Sequence, residues 1–183
     1  MTPCLPAATL SRLRATAEGR PVWVVDLPRQ RLICCGDSPD PEVYPVSTAT
    51  AGTGNRPDSY RTPIGWHAVA EIIGGGAPLG QPFVSRKPAG PPLTDFASGD
   101  TDAILTRILV LDGLEPALNR NSRARCIYLH GTNREDLLGT PASKGCIRMR
   151  NQDIARLADA CLQRPREQWP RIWTGCCISD PVR

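Results

Sequence analysis

Tyr128-Leu129-His130-Gly131-Thr132 and, after a polar loop, Pro141-Ala142-Ser143-Lys144-Gly145-Cys146-Ile147-Arg148-Met149 are the stretches on which the reading of this 183-residue chain turns. The first is an apolar run that ends at a histidine. The second is a Ser-x-Gly-Cys turn leading into another apolar run. Cys146 follows His130 by sixteen residues, and the chain holds only two histidines. A cysteine nucleophile needs a base or positive charge to draw off its proton, because a free thiol has a pKa of ~8.5. It also needs open backbone beside it and donors where an oxyanion forms. His130 can supply the base. Gly145 carries no Cβ and lets a scissile carbonyl approach, and the amides of Gly145 and Cys146 are the predicted oxyanion donors. No acid adjoins His130, so the carbonyl of Gly131 is the expected partner that orients the ring. Taken singly, each residue has an ordinary alternative: a buried thiol, a structural histidine, a turn glycine. Together and in this order they point to covalent catalysis.

Working outward, Val22–Leu27 and Arg31–Cys35 are apolar, β-branched runs joined by Pro28-Arg29-Gln30, which reads as a hairpin. Residues 42–48 and 66–73 are further strands, and 81–85 is a short one. Residues 104–111 and 126–129 read as buried strands, and 171–173 as a closing strand. Asn151 is the expected cap of a helix over 152–163, where Ile154, Leu157, Ala158, Cys161 and Leu162 follow helical spacing. A short helix over 7–18 places Leu10, Leu13 and Ala17 on one face. Residues 74–102 are rich in glycine and proline; a flap over a substrate is the preferred reading of so long a segment, and a simple surface excursion is the alternative. The predicted organisation is an N-terminal helical extension over 1–20 and one mainly β (α+β) domain over 21–183.

Composition narrows the function classes. The net charge of +4 is mild and does not by itself imply nucleic acid. With aromatics at 5%, base stacking has little to work with. No apolar stretch reaches the ~18 residues of a membrane-spanning helix. Neither a nucleic-acid nor a membrane partner is expected. The eight cysteines include two adjacent pairs, 34/35 and 176/177, which are poorly placed to bond to each other. No Cys-x-x-Cys occurs, so a zinc knuckle has little support; no metal and no cofactor are expected. Free thiols fit a reducing compartment. The N-terminal residues show no basic segment followed by an apolar run, and the expectation is a cytoplasmic protein, with a periplasmic one as the alternative. Residues 120–150 carry seven basic side chains and two acidic ones. Arginine suits carboxylates, so this stretch points to an anionic substrate. His67, in a strand, is expected to have a structural or surface role.

His130-Gly131-Thr132 followed by Ser143-Lys144-Gly145-Cys146-Ile147-Arg148-Met149 resembles the signature of the YkuD-type L,D-transpeptidase catalytic domain. Val24-Val25-Asp26-Leu27, Tyr44-Pro45-Val46-Ser47-Thr48 and Arg61-Thr62-Pro63-Ile64-Gly65 resemble that family's early strands and its Thr-Pro-x-Gly turn. The resemblance implies a β-sandwich of mixed sheets with peripheral helices. It implies that Cys146 attacks the carbonyl of the L-centre of a diamino acid in a peptidoglycan stem peptide, releasing the terminal D-alanine and leaving an acyl-enzyme. His130 would be base and then acid, oriented by Gly131. Tyr128, Ser143, Lys144, Gly145 and Arg148 fall at positions that shape the site and bind substrate, with Arg148 beside the nucleophile. The family usually has histidine where this chain has Lys144, which removes a proton carrier and leaves a positive charge. Carbapenem-type inhibitors are implied as ligands. The motif does not separate hydrolysis from cross-linking. An L,D-carboxypeptidase acting on recycled muropeptide tetrapeptides is the expected function. The alternatives are an exported cross-linking transpeptidase and a non-catalytic module that binds wall fragments.

Overall fold

The computed structural model describes residues 5–36, 41–97 and 102–176. Val22-Trp23-Val24-Val25-Asp26 forms strand β1 (Val22–Asp26), buried at all five positions. The run shows no alternation because both its faces are covered. Val22 and Val24 pack with Leu5, Leu13 and Ala17 around helix α1 (Ala7–Thr16), while Trp23 and Val25 enter the main core. Leu27 to Arg29 makes one 3-10 turn, Gln30 takes a left-handed φ of 47°, and the chain returns as β2 (Arg31–Cys35).

The remaining strands are β3 (Glu42–Pro45), β4 (Gly65–Ile73), β5 (Pro82–Val84), β6 (Lys87–Pro88), β7 (Ile104–Gly113), β8 (Tyr128–Thr132), β9 (Ile147–Met149) and β10 (Arg171–Gly175). They form one mixed sheet in the order β3-β2-β1-β10-β4-β7-β5-β6, with β8 branching from β7 and carrying β9. The pairs β1–β10 and β8–β9 are parallel; the others are antiparallel. The expected mainly β fold is therefore found. Helix α2 (Asn151–Leu162) seals the main core through Ile154, Leu157, Ala158 and Cys161. Leu162, expected on the same face, is exposed at the last turn.

Side-chain alternation along β7 and β8 creates the face that matters for chemistry. Leu109, Leu111 and Leu129 point into the main core with Ile147 and Met149. Ile108, Val110 and Tyr128 point the other way and pack with Ala70 and Phe83, and Cys146 lies against this second cluster. Full burial of apolar side chains of this size stabilises by roughly 1.5–3 kcal/mol each, so both faces of β7 are fixed by packing.

Several expectations need correction. The third strand stops at Pro45 because Ser47 pairs with Arg148 instead, Ser47 N–H donating to Arg148 O at 3.0 Å and Arg148 N–H to Ser47 O at 2.9 Å. The strand read as 126–129 begins only at Tyr128, since Cys126 turns the chain at φ 56°. It continues through His130 to Thr132, so the histidine sits inside a strand rather than at its end. Asn151 does not cap its helix; Arg150 is the capping position, and the Asn151 amide donates to Glu135 Oε1 at 2.8 Å. Of the described cysteines, Cys34, Cys126, Cys146 and Cys161 are free thiols; Cys34, Cys35 and Cys161 are buried, Cys126 is exposed, and Cys146 and Cys176 are half-buried. Cys4 and Cys177 lie outside the described residues, as do 98–101 of the glycine- and proline-rich segment. Its described part folds back as the β5–β6 hairpin, and Glu135 N–H donates to Phe96 O at 2.7 Å.

His67 is structural, as its strand position suggested. It is fully buried, with Nδ1 3.0 Å from Gly65 O and Nε2 3.0 Å from Ser122 Oγ. Burial lowers its pKa from 6.5 to about 4. Below pH 6.5 the unfolded chain binds a proton that the folded chain refuses, so stability falls as the pH drops towards 4. Urea unfolding is expected to show the wild type losing up to about 3 kcal/mol more than His67→Gln between pH 7 and pH 4.

Candidate active site

Strands β8 and β9 run parallel, with Leu129 opposite Ile147, His130 opposite Arg148 and Gly131 opposite Met149. Cys146 immediately precedes β9. The period-two rule therefore puts Tyr128, His130, Cys146 and Arg148 on one face and Leu129, Ile147 and Met149 on the other. The turn that delivers Cys146 depends on Gly145, whose φ of 127° is unfavourable for a residue with a Cβ. Ser143 closes that turn from within: its hydroxyl donates to Cys146 O at 2.6 Å and accepts the Gly145 amide at 3.2 Å. Thr62 braces it from outside, donating its hydroxyl to Gly145 O at 3.0 Å and accepting the Ala49 amide at 3.0 Å. The Gly145 amide, expected as an oxyanion donor, is engaged by Ser143.

His130 is 1% exposed, and its Nδ1 lies 2.7 Å from Gly131 O. A carbonyl oxygen only accepts, so Nδ1 carries the hydrogen and, in the neutral ring, Nε2 carries the lone pair. Burial lowers the pKa of the ring; the Gly131 carbonyl and Asp102 act against that, and Arg148 acts with it. The ring is therefore neutral at pH 7 with a basic Nε2. Gly131 cannot be replaced by a larger residue here. A Cβ would lie 2.4 Å from Asn151 Oδ1 and 2.8 Å from Leu105 O.

The Cys146 thiol donates to Cys126 O at 3.3 Å. Burial pushes its pKa up to about 12, and Asp102 and Cys126 add to that. The Tyr128 backbone N–H faces the sulfur and, with Arg148, favours the thiolate. The resting pair is thus thiol and neutral imidazole. The two groups share a face, but the thiol proton is parked on Cys126 O rather than on His130.

Other expected residues take different parts. Arg148 is 3% exposed and donates from Nη2 to Asp102 Oδ2 at 2.5 Å, so its charge is engaged inside the protein instead of being offered to a substrate carboxylate. Tyr128 is buried in the floor, its hydroxyl accepting from Arg86 Nε at 2.9 Å with the guanidinium over the ring. Lys144 is exposed at the turn. Four contributors were missed. Asp102 faces Arg148, and Thr62 holds the turn that carries Cys146. Arg86 covers Tyr128 from the tip of the β5–β6 hairpin. Arg125 donates to Gly54 O, Arg61 O and Ser59 Oγ at 3.1, 2.6 and 3.3 Å, close enough to Cys146 to feel a charge on the sulfur. Arg125 had a signal in the sequence as part of the basic stretch, and Thr62 as part of the Thr-Pro-x-Gly turn.

A family model described as the L,D-transpeptidase catalytic domain (YkuD) matches residues 20–178. The fold is similar to that of an L,D-transpeptidase from Xylanimonas cellulosilytica DSM 15894, with 19% identity and a TM-score of 0.52, covering 85% of this chain and 60% of that one. An L,D-transpeptidase from Mycobacterium smegmatis aligns with 13% identity and a TM-score of 0.48, covering 86% of this chain and 59% of that one. The chain spans about 60% of the length of these solved structures. No curated protein matches it.

Proposed function

This chain belongs to the family of L,D-transpeptidase catalytic domains, and on that footing we propose that it is an L,D-carboxypeptidase that trims D-alanine from peptidoglycan tetrapeptides through a Cys146 acyl-enzyme. One observation supports this reading above the others: Cys146 and His130 lie on one face of the paired strands β8 and β9, and the bond from His130 Nδ1 to Gly131 O leaves Nε2 basic.

In this reading the thiol leaves Cys126 O and gives its proton to His130 Nε2 as sulfur attacks the carbonyl of the L-centre. Transfer coupled to attack suits a thiol that burial keeps protonated. With Gly145 engaged by Ser143, the Cys146 amide is the remaining one of the two expected oxyanion donors. Collapse breaks the bond to D-alanine, whose nitrogen takes the proton back from His130. Water, deprotonated by the same Nε2, then cleaves the thioester and frees the tripeptide. Free thiols at Cys126 and Cys146 fit a reducing compartment, where recycled wall fragments rather than the intact wall would be the substrate. On the same reading carbapenem-type β-lactams acylate Cys146.

The test is incubation with a disaccharide- or UDP-linked tetrapeptide, with products followed by mass. Tripeptide and free D-alanine are expected. Cross-linked dimers without tripeptide would make the protein a transpeptidase, and no turnover together with retained binding would make it a binding module.

A further inference from the structure

Strand β7 is irregular at one place. Leu105 pairs with Gly131 and Ile108 with His130, so Thr106 and Arg107 form a bulge opposite the His130–Gly131 step. Within that bulge Thr106 is fully buried and has φ 69°. A β-branched residue in the left-handed region is strained, and such strain persists only where its surroundings hold it. Here they do. The Thr106 hydroxyl accepts the Gly80 amide at 2.9 Å and donates to Asn151 Oδ1 at 2.6 Å. The Thr106 amide donates to Gln81 O at 2.8 Å, and its carbonyl accepts from Arg107 Nη1 at 2.7 Å.

Asn151, itself fully buried, passes the constraint on. Its Nδ2 donates to Thr132 O at 2.7 Å and to Glu135 Oε1 at 2.8 Å. Its Oδ1 sits against the α-carbon of Gly131, 2.4 Å from where a Cβ would stand. Gly131 is therefore clamped between Asn151 and the carbonyl of Leu105, and the Gly131 carbonyl is what His130 Nδ1 binds. The bonds of the Thr106 hydroxyl and the bond from Asn151 to Thr132 O are buried, so deleting the hydroxyl orphans two partners at once.

We propose that Thr106 is a positioning residue: its strained hydroxyl sets Asn151, Asn151 sets the Gly131 peptide, and that peptide fixes the tautomer and orientation of His130. The same hydroxyl ties Gly80, at the foot of the β5–β6 hairpin, to the base. The effect on turnover rests on the reading given above; the effect on His130 does not.

The experiment uses Thr106→Val, which keeps the shape and removes the hydroxyl, and Thr106→Ser, which keeps the hydroxyl. Imidazole nitrogen NMR reads the ring directly, with His67 as an internal reference. In the wild type His130 is expected as a single tautomer protonated at Nδ1. In Thr106→Val the two ring nitrogens are expected to average, and the titration midpoint to rise towards 6.5. Tetrapeptide kcat is expected to fall roughly ten- to hundredfold with little change in KM. Thr106→Ser is expected to restore both. If the valine variant does not fold, Thr106→Gly, which accepts a positive φ without strain, removes the hydroxyl instead. Unchanged His130 spectra and titration in a folded hydroxyl-less variant would overturn the proposal, as would a serine variant as impaired as the valine one. A wild type inert towards tetrapeptide, with His130 still moved by Thr106→Val, would remove the substrate reading and leave the positioning role standing.

Discussion

Cys146→Ser is expected to fold as the wild type does and to release D-alanine from a tetrapeptide about 10⁴-fold more slowly, or worse. The two side chains are nearly isosteric, and the serine hydroxyl can donate to Cys126 O as the thiol does. The turn that presents the residue is held by Ser143, Thr62 and Gly145, none of which depends on sulfur. Only nucleophilicity changes. An alcohol holds its proton far more tightly than a thiol, and this site already disfavours an anion by burial. D-alanine release measured beside a thermal melt separates the two contributions. A variant with unchanged melting and near wild-type release would remove Cys146 from the chemistry.

His130→Gln is the second large effect, expected at roughly 10²–10⁴-fold in kcat. The diagnostic readout is the shape of its pH dependence. In the wild type the base must be neutral to take the thiol proton. Burial depresses its pKa below 6.5. Activity is therefore lost only as the pH falls through that depressed value, and it is flat across neutrality. Without the imidazole the reaction must wait for thiolate, and the thiol pKa is pushed up to about 12. The residual rate of His130→Gln is thus expected to climb about tenfold per pH unit well into the alkaline range. A variant that keeps the flat neutral plateau would assign the base elsewhere.

Much of this was legible in the chain, for reasons that differ from residue to residue. Val22–Asp26 and Ile104–Leu111 announced themselves as strands because burial on both faces makes them predominantly apolar. Helix α2 was visible through its 3.6-residue spacing. The pairing of His130 with Cys146 was suggested by motif order, but their common face follows from the parallel register of β8 with β9, which local sequence does not encode. Arg148 read as a substrate-binding residue beside Cys146, and its ion pair was not legible because Asp102 lies far away along the chain. Asn151 read as a cap because an asparagine before a periodic apolar segment ordinarily is one; here Glu135 supplies the oxygen and frees Asn151 to brace β8. Thr106 was invisible, since a threonine inside an apolar run favours ordinary strand geometry and gives no sign of a left-handed φ.

The most direct measurement is the intact mass of the protein, acid-quenched during turnover of a tetrapeptide, followed by peptide mapping of the adduct. The expected species is the enzyme carrying the tetrapeptide minus D-alanine, as a thioester on the peptide that contains Cys146. Free D-alanine accumulating with no adduct at any quench time, or an adduct on another residue, would contradict a covalent mechanism centred on that sulfur.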